Sequence, residues 1–177
     1  IDYIKKFYIT TLYFLCVSGV TVVIFWKDFS HYININFKPL PFTLAVGLFP
    51  IIILIYSFIK NNFNRPVKII NNNPQLIFLQ LDNRYLVSKS SEILFQQVFI
   101  VLLISWLSQT KLSIYEITLF FAALFGLSHI YLIYSRGKLF GLFFIIASIL
   151  SAIFFPVLII YLPWGFVYSY IVHWIFY

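Results

Sequence analysis

The sequence predicts an all-α bundle of about six membrane-spanning helices, and three observations carry that prediction. Of 177 residues, 62% are hydrophobic and only 10% are charged, whereas a soluble domain carries about a quarter charged residues on its surface and loops. Apolar runs of about 20 residues recur along the chain, the length a helix needs to cross a hydrocarbon layer about 30 Å thick. Turn residues and charges separate these runs. The same apolar content excludes intrinsic disorder. A single cysteine, Cys16, in an apolar run excludes a disulfide framework or a thiolate metal cluster. The chain contains no methionine, so its translation start is expected upstream of Ile1.

The spans follow in order within a single transmembrane domain. Span one covers 7–26 and stops at Lys27-Asp28. It has no small-residue cleavage site and is too long for a signal-peptide core, so it is read as retained. Span two covers 42–59, contains Gly47 and Pro50, and ends at Lys60. A polar stretch over 60–89 follows, with Asn71-Asn72-Asn73-Pro74 as a turn signal and 75–87 as a short interfacial helix leading onward. Span three covers 90–107, and span four 114–135, closed by Arg136-Gly137-Lys138. Span five covers 139–162 with Pro156 inside it, where a kink or an early end is expected. After the turn Pro163-Trp164-Gly165, residues 166–177 form a sixth apolar segment, short for a full crossing.

Six spans alternate the loops between two sides, and basic residues choose the side. One side collects Lys5, Lys6, Lys60, Arg65, Lys68, Arg84, Lys89, Arg136 and Lys138; the other has Lys27, Lys38 and Lys111. The N-terminus and the 60–89 loop are therefore placed in the cytoplasm. The net charge of +7 reads as topology and contact with anionic membrane lipids. No nucleic-acid partner is expected, because the basic residues are dispersed over loops and do not gather on one face.

Charged groups at membrane depth cost about 2.5–3.5 kcal/mol each on insertion scales, so their presence needs a reason. Glu116 lies at the outer end of span four and reads as a solvated end residue. Glu92, His129 and His173 fall on spans three, four and six, and the topology brings all three to the cytoplasmic leaflet. Glu92 and Gln96 share one helix face, as do Phe125 and His129, and His173 and Tyr177. Each histidine alone is explained equally well by an interhelical hydrogen bond. The three together point to a shared polar site.

These residues resemble the motifs of the CPBP intramembrane proteases, which include the CAAX-processing endopeptidases and many bacteriocin-related bacterial proteins. The family motifs are Glu-Glu-x-x-x-Arg, then Phe-x-x-x-His, then His-x-x-x-Asn, each on its own span. The run Ser91-Glu92-Ile93-Leu94-Phe95-Gln96 is similar to the first, Phe125 to His129 matches the second, and His173 after the Pro163-Trp164-Gly165 turn resembles the third. The resemblance covers 88–177 and implies a CPBP-like core in spans three to six, in a bacterial plasma membrane. It also shows departures. Ser91 stands at the first glutamate, Gln96 at the arginine and Tyr177 at the asparagine. The family activity implies a carboxylate and histidine activating water for attack on a peptide carbonyl, with the second histidine and the asparagine stabilising the oxyanion.

Three functions follow as expectations. The first is a catalytically atypical or inactive CPBP-like protein that binds or regulates a membrane partner, possessing the fold of a hydrolase without its full site. The second is a working intramembrane endopeptidase or transferase, with Glu92, His129 and His173 as catalytic residues and Ser91, Gln96, Phe125 and Tyr177 in support, acting on lipidated or transmembrane substrates. The third is a membrane subunit holding haem between His129 and His173. Two histidines and a glutamate are also able to hold a divalent metal, but the His-x-x-x-His spacing of metalloproteases is absent, and no cofactor is expected. Little mass outside the membrane points to a subunit of a larger complex. Gly126, Gly137 and Gly141 read as packing or turn residues, and Trp26, Trp106, Trp164 and Trp174 as interfacial anchors.

Overall fold

The computed structural model describes residues 5–33 and 83–176, with a few positions between 47 and 58. Among the described residues every regular element is a helix: α1 (Phe7–Ile24), α2 (Trp26–Ile33), α3 (Asn83–Ser108), α4 (Ile114–Ser128), α5 (Leu132–Arg136), α6 (Lys138–Tyr161) and α7 (Gly165–Phe176). Four segments are long and apolar enough to cross a membrane, namely α1, α3, Ile114–Ser135 and α6. They match spans one, three, four and five. Most of span two, and residues 60–82 of the expected loop, lie outside the described residues. α7 has 12 residues, below the length a crossing requires.

Buried hydrogen bonds and aromatic contacts fix how these helices run. Thr11 of α1 donates to Ser88 of α3 at 3.5 Å. Phe14 meets Phe95 with ring centroids 5.4 Å apart, and Phe25 meets Trp106 at 5.8 Å. Later residues of the first segment thus meet later residues of α3, so the two helices run parallel. α4 and α6 run antiparallel: Phe121 lies 6.1 Å from Phe155, and Gly126 abuts Ile149. Between apolar helices in lipid, close packing and interhelical hydrogen bonds hold the bundle together. Small residues accordingly sit at the tightest crossings. A Cβ on Gly141 would lie 2.6 Å from the backbone nitrogen of Ile133, so α5 rests directly on the backbone of α6. Around these contacts Val98, Ile104, Phe121, Ala152, Phe155 and Ile159 form the centre of a buried core.

Several boundaries differ from expectation, each for a local reason. Span one does not run to Trp26, because the backbone turns at Phe25 and restarts as α2. That short helix buries Phe29 and Tyr32. It is pinned to the end of α3 by a Tyr32–Ser108 hydrogen bond of 2.7 Å and by Gln109 donating to Asp28 at 3.2 Å. Residues 83–89, assigned to the polar loop, belong to α3. Span four has its expected bounds, Ile114–Ser135, but a turn interrupts it: α4 ends at Ser128 with His129 as its cap, and α5 resumes at Leu132. From there the bonds His129 to Gly126, Ile130 to Leu127, Leu132 to His129 and Ile133 to Ile130 all close over three residues, a tightened turn of 3₁₀ type. Pro156 does not end span five, since α6 continues past it to Tyr161. Glu116 proves to be one half of a capping box. It accepts from the Ser113 backbone N–H at 2.7 Å while Ser113 Oγ accepts from the Glu116 N–H at 3.4 Å.

The chain direction sorts the described cations. α1, α3 and α6 begin, and α4 ends, at one end of the bundle, which carries Lys5, Lys6, Arg84 and Lys138. Lys27 and Lys111 lie at the other.

Candidate functional site

α3 supplies most of the polar side chains. Its start at Asn83 puts Glu92 about two and a half turns into the helix, deeper than the first turns where the sequence placed it. One turn earlier on the same face stands Lys89. Its ammonium donates to Glu92 Oε2 at 2.6 Å, and the ion pair is largely buried. Gln96, one turn later, donates from Nε2 to Glu92 Oε1 at 3.0 Å. Both oxygens of the carboxylate are thus engaged along a single helix face. Ser91 is buried and donates to the Ser88 carbonyl at 2.7 Å, which commits its hydroxyl hydrogen to the backbone.

A second group ties α7 to α3. Gln97 has no exposed surface. Its amide donates to Ser169 Oγ, and its carbonyl oxygen lies 3.3 Å from His173 Nδ1. His173 is 6% exposed. Beside it on α7, Tyr170 donates to the Ser90 carbonyl at 3.2 Å and accepts from Trp174 Nε1 at 3.3 Å. A buried amide that satisfies two partners at once is strongly held, since losing any partner strands the others in apolar surroundings.

His129 stands where α4 breaks into the tight turn. Its Nδ1 lies 2.7 Å from the Phe125 carbonyl, with Ser128 Oγ at 3.1 Å. The Phe125 ring packs on both histidines, with centroids 5.0 Å from His129 and 5.8 Å from His173. It also meets Phe155 at 5.9 Å, and Phe155 lies 5.5 Å from His173. His129 and His173 thus share the Phe125 ring, while Glu92 is held by Lys89 and Gln96 along α3. Tyr177 lies outside the described residues.

The arrangement limits what the site does with a ligand. Among the described residues, no three His, Cys, Asp or Glu side chains come together as a metal site. For acid–base chemistry, the ammonium and the amide orient the carboxylate and leave its remaining lone pairs open to a further donor.

The sequence reading missed four participants: Lys89, Gln97, Ser169 and Tyr170. Lys89 was counted as a loop charge, although its three-residue spacing from Glu92 is visible in the chain. Gln97 follows Gln96 directly, and two successive amides in an apolar run point at least one of them into the bundle. Nothing in the sequence marks Ser169 or Tyr170.

Comparison of the chain with protein-family models, curated proteins and solved structures found no match.

Proposed function

We propose that the chain is a multi-pass membrane protein on a CPBP-like core that binds or regulates a membrane partner without proteolysis. The observation that carries this reading is internal satisfaction: Lys89 and Gln96 occupy the Glu92 carboxylate, while Gln97 holds His173. The polar groups thereby join α3 to itself and to α7, which is what a folded scaffold requires. The orientation follows from basic residues. The end carrying Lys5, Lys6, Arg84 and Lys138 faces a cytoplasm and its anionic leaflet, as in a bacterial plasma membrane. Parallel running of α1 and α3 supports an additional crossing between them, as the six-span reading requires.

A second reading, an intramembrane endopeptidase, is favoured by one feature. Lys89 places a cation against Glu92, so the departure at Gln96 does not leave the carboxylate without a positive neighbour. Complementation in the native host separates the two. Glu92→Gln, His129→Ala and His173→Ala are each expressed with their membrane abundance monitored, beside a lipidated-peptide cleavage assay. The scaffold reading expects function to persist at normal abundance, with no cleavage by the parent chain. Loss of function in all three variants at normal abundance, together with cleavage by the parent, establishes the enzyme instead.

A further inference from the structure

We propose that Gln97 is a positioning residue: it holds His173 with the ring proton on Nδ1, and the Phe125 carbonyl holds His129 the same way, so both imidazoles beside Phe125 keep Nε2 as a hydrogen-bond acceptor. The inference goes beyond the proposed function and stands whether or not the site performs chemistry. The direction of each hydrogen bond carries it. A serine hydroxyl has one hydrogen, and that of Ser169 goes to the Phe166 carbonyl one turn earlier on α7, at 2.9 Å. Ser169 Oγ therefore only accepts from Gln97, which fixes the amide with Nε2 toward Ser169 and Oε1 toward His173. A carbonyl oxygen has no hydrogen to give, so the bond to His173 Nδ1 at 3.3 Å is donated by the ring. Gln97 and Ser169 have no exposed surface and His173 is 6% exposed, so this chain of bonds runs through the interior of the bundle.

His129 reaches the same state from a different element. Where α4 ends, its backbone N–H turns to the Gly126 and Leu127 carbonyls, and the ring Nδ1 takes up the Phe125 carbonyl at 2.7 Å. That acceptor also gives no hydrogen, so Nδ1 carries the proton. A neutral imidazole protonated on Nδ1 has a lone pair on Nε2, and among the described residues nothing donates to Nε2 of either ring. In this state both histidines accept a hydrogen bond at Nε2 and donate none there, so a ligand at this site brings its own donor, such as a hydroxyl, an amide N–H or water. His173 then does not serve as an oxyanion donor, the part that the endopeptidase reading gives it.

Solid-state nitrogen-15 NMR of the full chain in lipid vesicles tests this, with the histidine ring nitrogens labelled. The chain has three histidines, and the signals of His129 and His173 are assigned by their loss in His129→Gln and His173→Gln. At about pH 8, above the ordinary histidine pKa of about 6.5, each is expected to show a protonated Nδ1 and a bare Nε2. In Gln97→Leu the His173 Nδ1 proton loses its acceptor, and an Nε2-protonated signal is expected in its place or beside it, with His129 as in the parent. Gln97→Glu keeps an acceptor at the same reach and is expected to keep the Nδ1 proton. A parent chain in which either histidine carries its proton on Nε2, or on both nitrogens, overturns the proposal. So does a Gln97→Leu spectrum that retains the parental tautomer at His173. Where Gln97→Leu fails to accumulate, Ser169→Ala decides, because it lets the Gln97 amide turn over: a second His173 tautomer supports the fixed direction, and a single parental one overturns it.

Discussion

Gly165→Ala perturbs the point where α6 hands over to α7. The turn Pro163-Trp164-Gly165 places Trp164 at φ 65°, a left-handed backbone rare outside glycine. It brings Gly165 against the backbone of the helix just ended. A Cβ there would overlap the Leu158 carbonyl oxygen and lie 2.6 Å from the Leu158 carbonyl carbon and 2.8 Å from Ile159 Cα. Carbon atoms pack at about 3.5–4.0 Å, so the start of α7 would have to retreat by about 1 Å. All three obstacles are backbone atoms and no rotamer change relieves them. Overpacking of this kind costs about 1–3 kcal/mol and occasionally more, and the upper end applies because the clash is with backbone. For a chain of 177 residues, about 3 kcal/mol corresponds to a fall of about 6–12 °C in thermal midpoint. The assay is thermal unfolding of purified protein in detergent, with Gly19→Ala as control, because a Cβ at Gly19 meets no atom within 4 Å. The control should melt with the parent. Equal midpoints for Gly165→Ala and Gly19→Ala would refute the close α6–α7 approach, and with it the seating of Ser169 and His173 on Gln97.

Three other substitutions probe separate parts of the bundle. Gln97→Leu deprives both Ser169 and His173 of their partner in the interior and should cost about 2–3 kcal/mol, read as a lowered thermal midpoint; a midpoint at the parental value would show that those groups find other partners. Ser113→Ala removes one arm of the capping box and should cost about 1 kcal/mol, with Glu116→Gln expected to cost less because an amide still reaches back to the Ser113 N–H. Tyr32→Phe deletes the hydroxyl that pairs with Ser108 at 2.7 Å and should cost about 1 kcal/mol. Its readout is faster amide hydrogen exchange confined to α2, and uniform protection there would count against the docking of that helix.

What the sequence conveyed, and what it withheld, divides along physical lines. Hydropathy reports how apolar a stretch is, so the crossings at α1, α3, α4–α5 and α6 were legible. It does not report backbone direction, and the tight turn at His129–Tyr131 lies in a run as apolar as its neighbours. The eight-residue α2 is shorter than a hydropathy window and polar on one side, so no element was expected over 27–33. Lys89 was misplaced because reading charge as topology assigns every lysine to a loop, whereas its distance from Glu92 allows the pair to be carried inside. Glu92, His129 and His173 stood out in the sequence because a titratable group in an apolar run is conspicuous. Gln97, which meets His173, and Ser169 and Tyr170, which tie α7 to α3, carry no charge and stood out less.

The parallel pairing of α1 with α3 also has a consequence in time. Helices that run side by side in the same direction cannot be sequential neighbours, and here Thr11 must wait for Ser88, 77 residues later. At about 5–20 residues per second of synthesis, α1 spends some seconds in the membrane before its partner emerges. Two hydroxyls on the waiting face are already provided for: Ser18 donates to the Phe14 carbonyl at 2.7 Å and Thr21 to the Val17 carbonyl at 2.8 Å. The first helix can therefore rest in lipid with these groups satisfied by its own backbone, and the late arrival of α3 adds contact without having to rescue them.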